Sequence, residues 1–284
     1  MGTEQDERFL GSDWRGARGE KWRAHLPRME AMLGAVDGPL IDALCLDAPY
    51  RIADIGSGGG GTALAIFRSA PAGSVVHGLD LSPALVEAAQ GRVPPGEQGI
   101  SFRVADVASA RAPEPPYERM VSRFGVMFFE EPETAFVQLQ RWLAPRGRFS
   151  FATWADPEEN PWFTIVRDAV AEVVTIPSSD PDAPGPFRYA DAEKLVTLLR
   201  RAGFAELEVQ DFRTALPMGG GLPAAGAAEF ALTSFSAFEE LLNAAGDAAR
   251  RRVRDSLIAS FSRHEKAGVV LLDACVHLFA GTCR

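Results

Sequence analysis

Between residues 13 and 46 the apolar positions fall at helical spacing: Trp22, Leu26, Met29, Met32 and Leu33, then Leu40, Ile41 and Leu44, with charged residues between them. That spacing predicts one or two helices with one apolar face, laid on the structure that follows. At residue 51 the period changes. A short apolar run over 52–55 enters a glycine-rich turn, which predicts a strand, and 62–69 then reads as a helix. Residues 75–79 form a second strand; Ser82 caps a helix from Pro83 through Gln90, with proline at the favoured first position. Further strands are predicted at 100–105 and 119–124, a helix at 132–143, and a tight turn over Pro145, Arg146 and Gly147 into a fifth strand at 148–154.

The alternation breaks after Trp154. Residues 155–190 carry Pro157, Pro161, Pro177, Pro181, Pro184 and Pro186 around a short helix near 162–174, the pattern of an inserted cap. Regular structure returns with a helix at 191–202, stopped by Gly203, and a strand over 206–214. Glycines 219, 220 and 221 link to helical segments reaching about residue 265, and the alternating Val276, Leu278 and Ala280 suggest a closing edge strand. Strands alternating with helices predict an α/β fold with a doubly wound, mostly parallel sheet. Four segments follow: an N-terminal helical cover over 1–48, an α/β core over 49–155, a cap over 156–190, and 191–284 completing the core with a helical insertion.

The glycine-rich turn carries the candidate chemistry. Glycines at 56, 58 and 60 let the backbone pass close to a ligand, because no Cβ intervenes. Asp80, ending the second strand, can accept from ribose hydroxyls. Gly56, Gly58 and Gly61 also satisfy the dinucleotide fingerprint, in which a helix N-terminus holds pyrophosphate. Asp54 opposes that reading. A carboxylate at the mouth of the loop repels pyrophosphate and suits a cationic ligand with an amino group, such as S-adenosylmethionine (SAM), which also carries a sulfonium.

Charge and composition narrow the partners. With 284 residues, a net charge of −9 and a pI near 5.1, the chain is a poor candidate for holding nucleic acid through phosphates. Cys45, Cys275 and Cys283 are odd in number and widely spaced, which fits neither a disulfide framework nor a metal site, and no metal is expected. The first residues are polar and no apolar run reaches membrane-spanning length, so a cytoplasmic protein is expected.

Taken in order, Asp54-Ile-Gly-Ser-Gly-Gly-Gly60, Leu79-Asp-Leu-Ser82, Ala105-Asp-Val107, Ser122-Arg-Phe-Gly-Val-Met-Phe-Phe129 and Arg141-Trp-Leu-Ala-Pro-Arg-Gly-Arg-Phe149 resemble a class I SAM-dependent methyltransferase of the ubiquinone/menaquinone-biosynthesis type. Glu159-Asn-Pro-Trp162, Ala183-Pro-Gly-Pro-Phe187 and Met218-Gly-Gly-Gly-Leu222 extend the similarity to a bacterial subgroup acting on small molecules. Ser57 stands where many such enzymes have cysteine, and Ala144-Pro-Arg-Gly147 replaces a commoner Pro-Gly-Gly turn. The resemblance implies a Rossmann-like, seven-stranded sheet and SAM as cofactor, with S-adenosylhomocysteine (SAH) as product. It assigns Asp54 and the 56–60 loop (Gly56, Ser57, Gly58, Gly60) to the methionine end and Asp80 to the ribose. Leu81 and Val107 go to the adenine, Asp106 to its amine, and Arg123 and Trp22 to the cofactor's surroundings. Phe124, Met127, Phe128, Trp154, Trp162 and Phe187 form an aromatic and thioether set for a hydrophobic, flat acceptor. Trp14 is a second candidate cover beside Trp22.

Methyl transfer from a sulfonium is a direct displacement, so alignment and exclusion of water matter most, and a base is needed only for a protonated acceptor. Of the histidines, His25 alone lies on an element that could overhang the site, and no catalytic base is named. The expected partner is a small-molecule acceptor methylated on O, N or C, with neither nucleic acid nor membrane, and a homodimer is the quaternary expectation. Two rivals remain. A nicotinamide-dependent dehydrogenase would leave Asp54 and Asp106 without a purpose, and Tyr50, Tyr117 and Tyr189 lack the lysine four residues on. A protein that keeps SAM structurally, as a non-methylating cyclase or a regulatory partner, would carry the same motifs.

Overall fold

The computed structural model describes residues 14–178 and 180–284. A long N-terminal helix, α1 (Ala17–Leu33), runs through Pro27 and leads by a 3-10 turn into α2 (Asp37–Asp42). The core then alternates β1 (Arg51–Ile55), α3 (Gly61–Ser69), β2 (Val75–Asp80), α4 (Pro83–Gln90), β3 (Ile100–Val104), β4 (Tyr117–Arg123), α5 (Pro132–Trp142) and β5 (Leu143–Trp154). Local chemistry sets several boundaries as read from the sequence. The Ser82 hydroxyl accepts from the Leu85 amide to start α4, with Pro83 at its first position.

Beyond β5 come α6 (Pro161–Ala171), α7 (Ala192–Ala202) and the long β6 (Phe204–Pro217), then α8 (Ala224–Ser234), α9 (Ser236–Ala245), α10 (Asp247–Ser262), the two-residue β7 (Glu265–Lys266) and β8 (Val269–Cys283). Gly203, at φ 100°, ends α7 in the left-handed conformation that glycine adopts freely.

The strand order is β3-β2-β1-β4-β5-β8-β6, with β7 pairing only β8. Strands β1 to β5 are mutually parallel, and β8 is antiparallel to both β5 and β6. From β1 the chain steps outward to β3, then returns to lay β4 and β5 on the other side. Right-handed crossovers therefore put the connections of the two halves on opposite faces, and the carboxyl ends of β1 and β4 flank the point of reversal. Ligands of open α/β sheets bind there.

Two expectations are corrected. The 276–280 run is no edge strand: β8 lies inside the sheet between β5 and β6, and residues 274–281 are buried almost without a break. Its alternation is a sequence accident within a strand covered on both faces. The edge is β6, whose middle residues are exposed. The 145–147 turn is likewise absorbed into β5, where the register with β4 slips between Tyr117 opposite Leu143 and Arg119 opposite Arg148.

The remaining elements frame the sheet. Helix α1 packs on α4 and on the Met218–Gly220 turn, while α6 packs on β8, α9 and α10. The 155–190 stretch is tied to the chain after β4: the Gly185 amide donates to the Met127 carbonyl at 3.2 Å, and Arg188 donates to the Phe129 carbonyl. No helix among the described residues is long and apolar enough to cross a membrane.

Candidate cofactor and acceptor cleft

At the reversal point lies an open cleft of about 1010 Å³ counted out to its mouth. Its floor is the chain leaving β1, β2 and β4, and its wall is α1. Of the candidate cofactor residues, Asp54, Gly56, Ser57, Gly58, Asp80, Leu81, Asp106, Val107, Arg123 and Trp22 all line it.

Gly60 does not. Its backbone is left-handed at φ 84°, and a Cβ there would sit 2.6 Å from the Phe102 ring, so it starts α3 and packs inward. The glycines divide their tasks. Space above Gly58 is open to a ligand, Gly56 is pressed against Gly125, and at Gly59 a Cβ would enter the Leu26 side chain of α1. Part of the glycine run thus exists to dock α1, a non-local demand that the spacing could not reveal.

Asp80 works twice. Its Oδ2 accepts from the Gly58 amide at 2.7 Å and its Oδ1 from the Ser82 amide at 2.8 Å, which fixes the loops after β1 and β2 together. Each carboxylate oxygen keeps a second lone pair for a ligand hydroxyl. Burial raises its pKa against the pull of the Ser82, Gly58 and Leu81 amides.

Asp54 is almost completely buried, and its Oδ2 meets no donor; the Ser57 hydroxyl beside it has no partner either. Burial pushes the Asp54 carboxyl up to about 8, the Asp37 and Asp80 charges add to the rise, and Arg123 opposes it. Buried polar atoms are normally satisfied, so Asp54 Oδ2 and Ser57 Oγ, two of three orphans among the lining residues with Trp14 Nε1, are open positions for a ligand's polar groups. They fit the amino-acid end of an adenosyl cofactor.

Three carboxylates gather at the start of α3. The Ala63 amide of α3 pulls against the rise of the Asp54 carboxyl. Asp37 accepts from Thr62 Oγ1 and from Arg123, both at 2.8 Å. Glu30 is 2.7 Å from Arg92 and abuts Gly61. A helix N-terminus attracts anions, and here the protein's own acids occupy it. A pyrophosphate would meet the Glu30 and Asp37 carboxylates, whereas an ammonium would draw the proton off Asp54 and pair with it. Glu30 and Asp37 are residues at the site that the motifs missed, and Gly125 stood inside a quoted motif without a role. Glu30 had one legible signal, an acid within the Leu26–Met29–Leu33 apolar stripe.

The aromatic set separates into two groups. Phe124 and Phe128 line the cleft, joined by Phe129, Trp14 and Trp22. Trp14 meets Trp22 at 5.7 Å and Phe128 at 5.1 Å, edge to face, and its Arg15 neighbour pairs with Asp106 at 3.0 Å. Met127, Trp154, Trp162 and Phe187 do not reach the cleft. Met127 is buried, and the other three form a ladder behind Phe124: Phe124 on Trp154 at 4.3 Å, Trp154 on Trp162 at 4.8 Å, Trp162 on Phe187 at 5.9 Å. A position near a strand end does not say which way its side chain points. His25 also lies elsewhere, its ring edge to face with Phe230 on α8. His77 bonds to the Tyr117 hydroxyl at 2.9 Å inside the sheet, and burial with Arg51 and Arg103 nearby lowers it to about 4.

A glycine loop closing β1, an acid ending β2 and a cleft at the sheet's reversal form a site similar to the cofactor site of SAM-dependent methyltransferases. Residues 53–151 match the methyltransferase domain family. Among known proteins the chain is similar to trans-aconitate 2-methyltransferase of Methylobacterium nodulans, 30% identical over 47% of this chain and 49% of that protein. It is also similar to demethylmenaquinone methyltransferase of Thermus thermophilus, 28% identical over 45% of this chain and 57% of that protein. The chain thus spans about half the length of the curated relatives it matches. In fold it is similar to the YcgJ protein of Bacillus subtilis, with a TM-score of 0.57 at 20% identity over 88% of this chain and 99% of that one.

Proposed function

We propose that the protein transfers the methyl group of SAM to an oxygen, nitrogen or carbon of a small, largely hydrophobic organic acceptor. The observation that carries this reading is the pair of orphaned buried groups, Asp54 Oδ2 and Ser57 Oγ, beside the open space over Gly58. When bound, SAM supplies an electrophilic methyl on a sulfonium; the residues around it hold, orient and keep water out. Asp54 and Ser57 take the amino-acid end, with Arg123, oriented by Asp37, for its carboxylate. Asp80 takes the ribose hydroxyls, Leu81 and Val107 flank the adenine, and Asp106 exchanges Arg15 for the adenine amine. Trp22 on α1, with Trp14 in the turn before it, covers the cofactor, and Phe124 and Phe128 face the acceptor. The relatives' trans-aconitate and demethylmenaquinone acceptors are both small organic molecules, which supports that substrate class. The 156–190 segment, tied to the Met127 and Phe129 carbonyls, is assigned as a cap over the acceptor side. A homodimer is the quaternary state to test by sedimentation.

Calorimetric titration with SAM, SAH and NADH tests the reading. Micromolar binding of both adenosyl ligands, silent NADH and loss of binding in Asp80→Ala support it. NADH binding without an adenosyl response sinks it.

A further inference from the structure

Helix α1 is seated in register on the glycine loop. Its Leu26 side chain occupies the space a Cβ on Gly59 would take, and Glu30, one helical turn further on, does the same at Gly61. A Cβ on Gly61 would lie 2.8 Å from Glu30 Oε1 and 3.3 Å from Arg123 Nη2. The last glycine of the Gly56–Gly58–Gly61 spacing is therefore bare for a reason the dinucleotide fingerprint does not contain. It leaves room for a carboxylate from α1 and a guanidinium from β4 to converge over the first residue of α3.

These two opposite charges are not spent on each other. Arg123 gives Nη1 to Asp37 at 2.8 Å. Glu30 Oε1 accepts from Arg92 Nη1 at 2.7 Å, and the same nitrogen donates to the Gly59 carbonyl at 2.5 Å. Arg92, just past α4, thus ties Glu30 to the glycine loop. Glu30 Oε2 and Arg123 Nη2 keep no partner among the described residues, and both side chains line the cleft at 18% and 12% exposure. The Asp54 Oδ2, buried and without a donor, lines it too. A guanidinium held by its own acid, facing a carboxylate held by its own base, is a receptor for a zwitterion. The half-exposed Arg92–Glu30 pair contributes little to stability, so its effect lies in where it puts Glu30.

Resting on the methyl-transfer reading, we infer that Glu30 is a specificity-determining residue that takes the ammonium of the cofactor's amino-acid end together with Asp54, opposite Arg123, and that Arg92 is the positioning residue that holds Glu30 over the glycine loop.

The test titrates the full chain calorimetrically with SAH and with deamino-SAH, in which hydrogen replaces the amino group, and reads the ratio of the two affinities. The wild type should prefer SAH, and Glu30→Gln should lower the ratio about tenfold by weakening SAH alone. Retained deamino-SAH binding also reports that the variant folds. Arg92→Gln should lower the ratio about threefold, and Arg92→Lys should hold it. Should Glu30→Gln not fold, Arg92→Gln, outside the cleft lining, decides by the same ratio. A purely structural seat for α1 would weaken both ligands alike. An unchanged ratio in Glu30→Gln, or a wild type that binds both ligands equally, would overturn the inference. A wild type that binds neither ligand removes the methyl-transfer reading itself, and this inference with it.

Discussion

Complete burial of a carboxyl, as at Asp54, keeps it protonated near neutral pH until a cation arrives. With a folded value near 8 against an ordinary 3.8, Asp54 binds more protons folded than unfolded in that window. Stability from this group is therefore fully present below the lower value and is lost as pH rises through the upper one. Asp54→Asn should melt a few degrees above wild type at pH 8, the gain vanishing toward pH 4, in parallel calorimetric scans. The same variant should bind SAM at least tenfold more weakly. In the wild type, an ammonium beside Asp54 favours the carboxylate, so binding should release a proton. The SAM dissociation constant should rise as pH falls from 8 to 6, and the binding enthalpy should vary with the buffer's ionisation enthalpy. A pH-independent affinity would remove Asp54 from the ammonium site.

Between elements, close backbone approach does most of the aligning. Gly56 and Gly125 press the loops after β1 and β4 together, and the Ser122 hydroxyl donates to the Ile55 carbonyl at 2.7 Å across the same seam. Gly125→Ala puts a methyl against backbone that cannot step aside. It should cost about 1–3 kcal/mol of stability and weaken SAH binding, whereas Gly38→Ala, with open space around it, should do neither. Thermal melts and titration of both variants settle this. The strand-and-turn signals of β1 to β5 and the residues Asp54, Gly58 and Asp80 were legible because their chemistry is local to one turn. Glu30, Asp37 and Gly125 were not, since their roles come from α1, α2 and β4 converging across the sheet. Trp154, Trp162 and Phe187 misled for the opposite reason. Their types suit a ligand wall, and only the fold shows them turned behind it.

For the whole molecule, placing β8 between β5 and β6 makes it the most protected strand of the second half. Its amides from Val276 to Ala280 should be among the slowest to exchange with deuterium, while alternate amides of β6 exchange early. Val276→Asp, buried on the interior strand β8, should prevent folding, and Val209→Asp on the exposed edge should be tolerated, as read by solubility and far-ultraviolet dichroism. Fast exchange in 276–280 would contradict the strand order.

That order also dictates when the sheet can close. During synthesis, β5 and β6 leave the ribosome with a strand-wide gap between them, and only residues 269–283 can fill it. Until then the apolar rows of both strands and their unpaired amides face solvent, a template for pairing with another nascent chain. Helices α8, α9 and α10 are translated within that interval and can fold from local contacts alone. The vulnerable species in the life of this protein is therefore a chain made as far as α10 and still waiting for its keystone strand.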